Sequence, residues 1–118
     1  MRKRVLLVDD EEGILSFMES FLEREKIASI CATTGQDAID LYNEKTDLVI
    51  LDVKLEDMDG FEVVKELKKI NPEVKVILIS GKPEKSFAAR AKQLGVLEYV
   101  TKPIDLEWLR QKVIGYLA

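Results

Sequence analysis

Carboxylate, hydroxyl and ammonium side chains follow the apolar segments of this sequence at the points where those segments end. Asp9 and Asp10 follow the first apolar run, and Asp52 ends the third. Ser80 ends the fourth run, and Lys102 follows the fifth. The chain contains no His and one Cys, which excludes Ser/His and Cys/His catalysis, imidazole-based zinc sites and thiolate metal clusters. The available chemistry is therefore that of oxygen ligands and a lysine.

If these side chains meet in the folded chain, they predict phosphoryl transfer. Three neighbouring carboxylates cannot all ionise without a cation, and oxygen ligands with open positions suit Mg²⁺ or Mn²⁺. Such a metal would let Asp52 ionise and would neutralise incoming phosphoryl oxygens. The Asp52 carboxylate could then attack phosphorus to give an aspartyl phosphate. Lys102 would supply a second cation and Ser80 a hydroxyl donor.

The apolar runs that must position these residues alternate with amphipathic stretches. The runs cover residues 4–9, 28–33, 47–52, 74–80 and 97–101. The first, third and fourth are nearly continuous aliphatic segments, typical of strands buried on both faces of a parallel sheet, whereas the other two are weaker, as edge strands are. Five such βα units predict an α/β, doubly wound (βα)5 three-layer sandwich. The carboxyl ends of its strands would share one edge, where ligands bind.

Helix boundary signals support this division of the chain. Thr34 is suited to cap the second helix, and Asp105 lies near the start of the fifth. The third helix is expected to end at Asn71, before a proline, and the fourth at Gly95. We therefore expect residues 1–118 to form a single domain. The chain ends within or just after the fifth helix, which leaves open a C-terminal effector domain in a longer parent protein.

Composition restricts the setting in which this domain works. The formal net charge is -4 and the basic residues are scattered, which argues against direct binding to nucleic acid. No signal peptide or membrane span is visible in the sequence, so we expect no membrane contact. A single Cys suits a reducing cytosol, and we expect a cytoplasmic protein. Cys31 is expected to be a small buried hydrophobic residue rather than a reactive thiol.

At its chemical residues the sequence resembles the receiver domains of two-component response regulators, the CheY-like family. The matching segments are Asp9-Asp10 after the first strand, Asp52 within DVKLEDMDG, Ser80-Gly81 after the fourth strand and Lys102-Pro103 after the fifth. The resemblance covers essentially the whole chain. It implies a flavodoxin-like fold with the strand order 2-1-3-4-5.

The resemblance also implies a role for each residue. Asp52 would accept the phosphoryl group, and Lys102 would pair first with Asp52 and then with that group. Asp10 would bind Mg²⁺ directly and Asp9 mostly through water, while the backbone carbonyl of Lys54 would complete the protein ligands. The domain would therefore be a signalling switch rather than a turnover enzyme.

Family likeness extends these expectations to the output and the partners. Ser80 and Tyr99 would form the switch pair, in which the hydroxyl moves onto the phosphoryl oxygens and the aromatic ring swings inward. The signal would change the face made by the fourth helix, the fifth strand and the fifth helix, for an effector domain or a homodimer. A sensor histidine kinase or a His-containing phosphotransfer protein would donate the phosphoryl group. The Lys102-Pro103 bond would be cis.

Two residues after Asp52 depart from the common family pattern. Glu56 stands where the family often has Pro, which predicts a less rigid loop. Lys54 is an uncommon choice at its position. Its side chain would either shield the phosphoryl group from water or pair with Glu56. We favour shielding, and hence slower hydrolysis.

Other interpretations of individual residues are structural. Asp10 could instead cap the first helix, and Asp57 and Asp59 could be residues of a turn that leads into the third helix. The first helix has an apolar stripe that includes Phe17 and is wider than one core face needs. We favour a wide buried face over a partner-docking surface. Trp108 is expected on an exposed output face.

Three competing functions share parts of this pattern. A flavodoxin-like cofactor binder would need a Ser/Thr/Gly-rich phosphate loop where this chain has Asp-Asp-Glu-Glu. A haloacid-dehalogenase-type phosphatase would place its nucleophile after the first strand, as Asp-x-Asp. A receiver that has lost phosphorylation and serves only for docking would not need the complete set of site residues.

Overall fold

A five-stranded parallel sheet forms the centre of the computed structural model, which describes residues 2–82 and 84–118. The strands are β1 (Arg4–Val8), β2 (Ala28–Ala32), β3 (Leu48–Asp52), β4 (Val76–Ser80) and β5 (Glu98–Thr101). Their order is β2-β1-β3-β4-β5, as expected. All residues of β3 and β4 are buried, whereas β2 and β5 lie at the edges and are largely half-buried. The continuous apolar runs therefore mark the central strands.

A helix follows each strand, and the first four connect successive strands: α1 (Glu12–Arg24), α2 (Gly35–Leu41), α3 (Gly60–Ile70), α4 (Lys85–Leu94) and α5 (Leu106–Leu117). The Oγ1 of Thr34 accepts a hydrogen bond from the amide of Asp37 at the start of α2, and Asp105 caps α5 in the same way. Gly95 ends α4 with a φ of 75°, a left-handed conformation that glycine adopts at no steric cost. The predicted caps are confirmed.

Alternate residues of each central strand point to opposite faces of the sheet and build two cores. Leu6 and Leu51 pack with Phe61 on the face covered by α2, α3 and α4. Leu7 and Ile50 belong to the other core, against α1 and α5. Each fully buried large aliphatic side chain contributes roughly 1.5–3 kcal/mol through the hydrophobic effect. The two cores confirm the three-layer sandwich and fix the strand ends at one edge.

The start of α3 is held unusually close to the end of β3. A Cβ at Gly60 would lie 2.6 Å from the backbone oxygen of Asp52 and 2.9 Å from the Cα of Val53. The amide of Gly60 donates a hydrogen bond of 2.6 Å to the carbonyl of Val53. Only glycine leaves room for this approach, so Gly60 determines the path of the chain immediately after Asp52.

Candidate functional site

The carboxyl ends of four strands bring the predicted chemical residues together. Asp9 and Asp10 follow β1, and Asp52 is the last residue of β3. Ser80 is the last residue of β4, and Lys102 follows β5. Each side chain reaches the same edge because the strands are parallel and in register.

The three aspartates form a compact group of oxygen ligands. One carboxylate oxygen each of Asp9, Asp10 and Asp52 lies within 4.8 Å of the others. Asp9 and Asp52 are each 5% exposed, whereas Asp10 faces solvent. Such a set of carboxylates can hold a hard divalent cation and leave positions for water and phosphate oxygens. The group that the sequence predicted is therefore assembled.

Lys102 lies between two of these acids. Its Nζ is 2.9 Å from Oδ2 of Asp52 and 3.4 Å from Oδ2 of Asp9. Burial by itself would lower the pKa of Lys102, but the hydrogen bond and charge of Asp52, with those of Asp9, outweigh burial and raise the pKa. Lys102, which follows β5, is therefore a fixed cation beside Asp52 at the end of β3.

Asp9 has a strongly altered acidity. Burial raises its pKa from 3.8 to about 6, and the charge of Asp52 acts in the same direction. The amide of Glu11, which donates to Oδ1 of Asp9 at 2.9 Å, and the cation of Lys102 oppose this rise. Three carboxylates lie together here and Lys102 supplies one positive charge, which favours binding of a further cation.

Asp52 is oriented by its own loop. The amide of Lys54 donates to Oδ1 of Asp52 at 3.0 Å, while Lys102 contacts Oδ2. The amide of Val53, which lies between Asp52 and Lys54, continues the sheet by donating to the carbonyl of Ile79 at 2.8 Å. The Asp52 carboxylate is consequently held at both oxygens and faces the rim of the sheet.

An open pocket of about 670 Å³ lies over this carboxylate. Its lining includes Asp52, Ser80 and Lys102, together with Lys54 and Lys82. The pocket can admit a phosphoryl group together with part of the molecule that carries it. Three lysines, Lys54, Lys82 and Lys102, line the pocket together with five acids, so an anion would need a bound cation as well as the lysines to offset the negative charge.

Ser80 and Tyr99 lie on neighbouring strands. Ser80 is 3% exposed and pairs in register with Thr101, while Tyr99 pairs with Leu78. The hydroxyl of Tyr99 is buried and has no hydrogen-bond partner among the described residues. Its ring meets that of Phe87 edge-on, with 6.5 Å between centroids. The two predicted switch residues are therefore adjacent, one in the pocket and one behind it.

The acidic residues near the site differ in whether they cap a helix and in which helix they contact. Glu11, and not Asp10, occupies the N-cap position of α1, and it makes no side-chain cap hydrogen bond. The capping interpretation of Asp10 is therefore wrong. Asp59 lies in the turn at the start of α3, as predicted, and its side chain also caps that helix by accepting from the amide of Glu62 at 2.9 Å. Asp57 does more than turn the chain, because its carboxylate accepts hydrogen bonds from two amides of α2. No local pattern in the sequence indicates this contact.

An apolar groove adjoins the pocket on the side of α1. Ile14, Phe17, Pro103 and Leu106 line it, and Lys102 belongs to both the groove and the pocket. Phe17 is 52% exposed. The expectation that the whole stripe of α1 is buried is therefore wrong for Phe17, because α5 does not cover it.

Two further predictions about single residues need correction. Trp108 is half-buried against the core of α1 and α5, and the Nζ of Lys112 lies 5.7 Å from the centroid of its ring, so it is not an exposed output residue. Cys31 is half-buried rather than fully buried. Burial, with the neighbouring Glu19, raises the pKa of the Cys31 thiol to about 11, which keeps it protonated and unreactive at neutral pH.

The Lys102-Pro103 peptide bond is cis, as the resemblance implied. Across residues 2–82 and 84–118, none of the helices has the length and apolar character that crossing a bilayer requires.

A sheet in this order, with acids after β1 and β3 and a lysine after β5, is the architecture of a CheY-like receiver domain. The family model described as the response regulator receiver domain matches residues 5–114. The chain belongs to that family, whose members work in two-component and phosphorelay signalling. This match favours the receiver interpretation over a flavodoxin-like cofactor binder or a dehalogenase-type phosphatase.

Individual relatives span nearly the whole chain. It is 34% identical to sporulation initiation phosphotransferase F of Bacillus subtilis (strain 168), over 99% of this chain and 95% of that protein. A CheY-like receiver domain protein from Methanospirillum hungatei JF-1 superposes with a TM-score of 0.93 at 30% identity, covering 99% of this chain and 94% of the other. The non-phosphorylated HemR receiver domain from Leptospira biflexa superposes with a TM-score of 0.93 at 27% sequence identity, covering 99% of this chain and 95% of the other.

Proposed function

We propose that this protein is a phosphorylation-dependent signalling switch that accepts a phosphoryl group on Asp52. The observation that carries the proposal is the placement of the Asp52 carboxylate, 2.9 Å from the Lys102 ammonium, in the lining of an open pocket. The likeness to a sporulation initiation phosphotransferase and to the non-phosphorylated HemR receiver domain supports it.

The donor set of the site fits Mg²⁺ or Mn²⁺. Asp9, Asp10 and Asp52 offer hard oxygen ligands within 4.8 Å of one another, and the Lys54 backbone carbonyl is the further ligand that we propose. Asp10 is the exposed member and the one that we propose as the direct ligand. When bound, the metal supplies positive charge that neutralises the oxygens of an incoming phosphoryl group.

The proposed transfer uses the residues of this chain as follows. A carboxylate oxygen of Asp52 attacks the phosphorus of a phosphohistidine, and the new P–O bond forms as the P–N bond breaks. The electron pair of that bond stays on the imidazole nitrogen of the donor. Lys102 then pairs with the phosphoryl oxygens, and the hydroxyl of Ser80 donates to one of them.

The acyl phosphate would shift a conformational equilibrium behind the pocket. Movement of the Ser80 hydroxyl toward the phosphoryl group opens space into which the neighbouring Tyr99 ring can turn. In its present position the Tyr99 hydroxyl is buried and has no partner among the residues that the structure describes, so a turn of the ring that gives this hydroxyl a partner would be favourable. The proposed output is the face of α4, β5 and α5, used by an effector domain or a second copy of the chain.

The phosphoryl donor is proposed to be a helical protein that carries a phosphohistidine, namely a sensor histidine kinase or a phosphotransfer protein. This chain has no His of its own. The groove with Phe17, Pro103 and Leu106 is continuous with the phosphoryl pocket through Lys102. An amphipathic helix seated there would bring its own histidine to the pocket.

Labelling by acetyl phosphate with Mg²⁺ tests the proposal. The wild type and the control variant Asp59→Asn are expected to become phosphorylated. Asp59→Asn removes another acid of the pocket lining, and Asn keeps the helix cap of α3. Asp52→Asn is expected to remain unlabelled. Labelling of Asp52→Asn to the wild-type extent would show that the acceptor is a different residue.

A further inference from the structure

The loop between β3 and α3 is attached to a helix that contributes none of the predicted site residues. Oδ1 of Asp57 accepts a hydrogen bond of 2.8 Å from the amide of Gly35, and Oδ2 accepts one of 2.9 Å from the amide of Gln36. These are the first two residues of α2. The Asp57 carboxylate thus joins its loop to two residues of α2 that precede it by 22 and 21 positions in the sequence.

The first amides of a helix have no partner within the helix. In α2 the third, that of Asp37, donates to the Thr34 side chain at 3.1 Å, and Asp57 receives the first two. The two hydrogen bonds from α2 are also the main reason that the pKa of Asp57 is lowered. Thr34 therefore caps α2 from within its own segment, whereas Asp57 caps it from the loop after Asp52.

Close packing supports the same attachment. A Cβ on Gly35 would collide with the side chain of Met58 and lie 2.9 Å from Cγ2 of Val63. Gly35 is buried, so the loop lies directly on the backbone of α2. Asp57 and Met58 together fix the tip of the loop against this helix.

The base of the same loop holds the phosphoryl site. Lys54 pairs with Asp59 as an isolated antiparallel bridge, and the Gly60 amide donates to the carbonyl of Val53. The Lys54 amide donates to Oδ1 of Asp52. The peptide that carries the Lys54 carbonyl therefore lies between a base anchored on β3 and a tip anchored on α2.

We propose that Asp57 is a positioning residue for the cation site: its two hydrogen bonds to α2 hold the loop so that the Lys54 carbonyl points at the metal. This inference rests on the proposed function, which assigns that carbonyl as a ligand. Asp57 itself is exposed and belongs neither to the group of acids that could hold the metal nor to the lining of the pocket over Asp52. Its effect is exerted through the backbone of the loop.

Calorimetric titration of the metal-free protein with Mg²⁺ tests the inference, with Thr34→Ala as the matched control. Both Asp57→Ala and Thr34→Ala remove a cap from α2 and are expected to lower the melting temperature. Only Asp57→Ala is expected to weaken Mg²⁺ binding, by about 10-fold, as does loss of a residue that orients a metal ligand. Asp57→Asn, which retains one acceptor oxygen, is expected to fall between Asp57→Ala and the wild type.

Equal Mg²⁺ affinity of Asp57→Ala and Thr34→Ala would overturn the inference and reduce Asp57 to a helix cap. A wild-type protein that binds no Mg²⁺ would instead overturn the proposed function, and the inference with it. Circular dichroism of each variant establishes that the fold is retained, which is expected because Asp57 is exposed and Thr34 is not fully buried.

Discussion

The Nζ of Lys102 lies 2.9 Å from Oδ2 of Asp52, although the two residues are 50 positions apart. The same ammonium is 3.4 Å from Asp9. One cation therefore faces two buried carboxylates, with Asp10 exposed beside them. This arrangement leaves the site short of positive charge, which favours binding of a divalent cation.

The pKa of Asp9, raised from 3.8 to about 6, predicts a pH-dependent stability of the metal-free protein. A raised pKa means that the folded state binds a proton more tightly than the unfolded chain. The resulting stabilisation is complete below 3.8 and is lost as the pH rises through about 6. Asp9→Asn should raise the free energy of unfolding at neutral pH by about 1–3 kcal/mol, since one pKa unit corresponds to about 1.4 kcal/mol.

Urea unfolding in the presence of a chelator measures this effect. Asn retains an oxygen that can accept from the Glu11 amide, so the comparison isolates the charge of Asp9. The difference between Asp9→Asn and the wild type should disappear in acid, below the ordinary pKa of an aspartate. A difference that is the same at neutral and acidic pH would contradict the assigned cause.

The hydroxyl of Tyr99 predicts an unusual effect of its removal. Because this hydroxyl is buried without a partner among the described residues, Tyr99→Phe should leave the free energy of unfolding unchanged or raise it by up to about 1 kcal/mol. Tyr116→Phe is the matched control, since the Tyr116 hydroxyl donates to the Glu98 carboxylate. That change should lower the free energy of unfolding by about 1 kcal/mol. Equal losses in both variants would show that Tyr99 has a partner in solution.

Lys54 is predicted to slow the hydrolysis of the acyl phosphate. Among the residues that the structure describes, Lys54 makes no salt bridge, with Glu56 or with any other acid, and it lines the phosphoryl pocket. Lys54→Ala should shorten the lifetime of the phosphoryl group about 2- to 5-fold, as loss of an exposed charge contact would. Loss of phosphate after labelling, followed in the wild type and in Glu56→Ala, gives the reference rates. An unchanged lifetime in Lys54→Ala would end the shielding hypothesis.

Most of the fold follows from local patterns in the sequence. The buried aliphatic runs at β1, β3 and β4 identify the central strands, because a strand covered on both faces cannot alternate polar and apolar residues. Once the strands are placed, the carboxyl-end rule puts Asp52 and Lys102 at the same edge. Observed strand ends differ from the predicted ones by only one or two residues.

Long-range relationships could not be predicted in this way. The contact of Asp57 with α2 joins segments 22 residues apart, and an aspartate in a loop has no local pattern that indicates its partner. The exposure of Phe17 depends on how far α5 extends across α1, which hydrophobic spacing does not specify. Trp108 lies off the main stripe of its helix yet packs against the core, because a large indole reaches beyond its own face.

The acceptor residue is tested most directly by trapping the phosphoryl group. The protein would be phosphorylated with phosphoramidate and Mg²⁺, reduced with borohydride to convert the acyl phosphate to homoserine, and mapped by mass spectrometry. We predict conversion at Asp52 alone, with none in Asp52→Asn. Conversion at Asp9 or Asp10, or no conversion in the wild type, would contradict the central claim that Asp52, held by Lys102, is the phosphoryl acceptor.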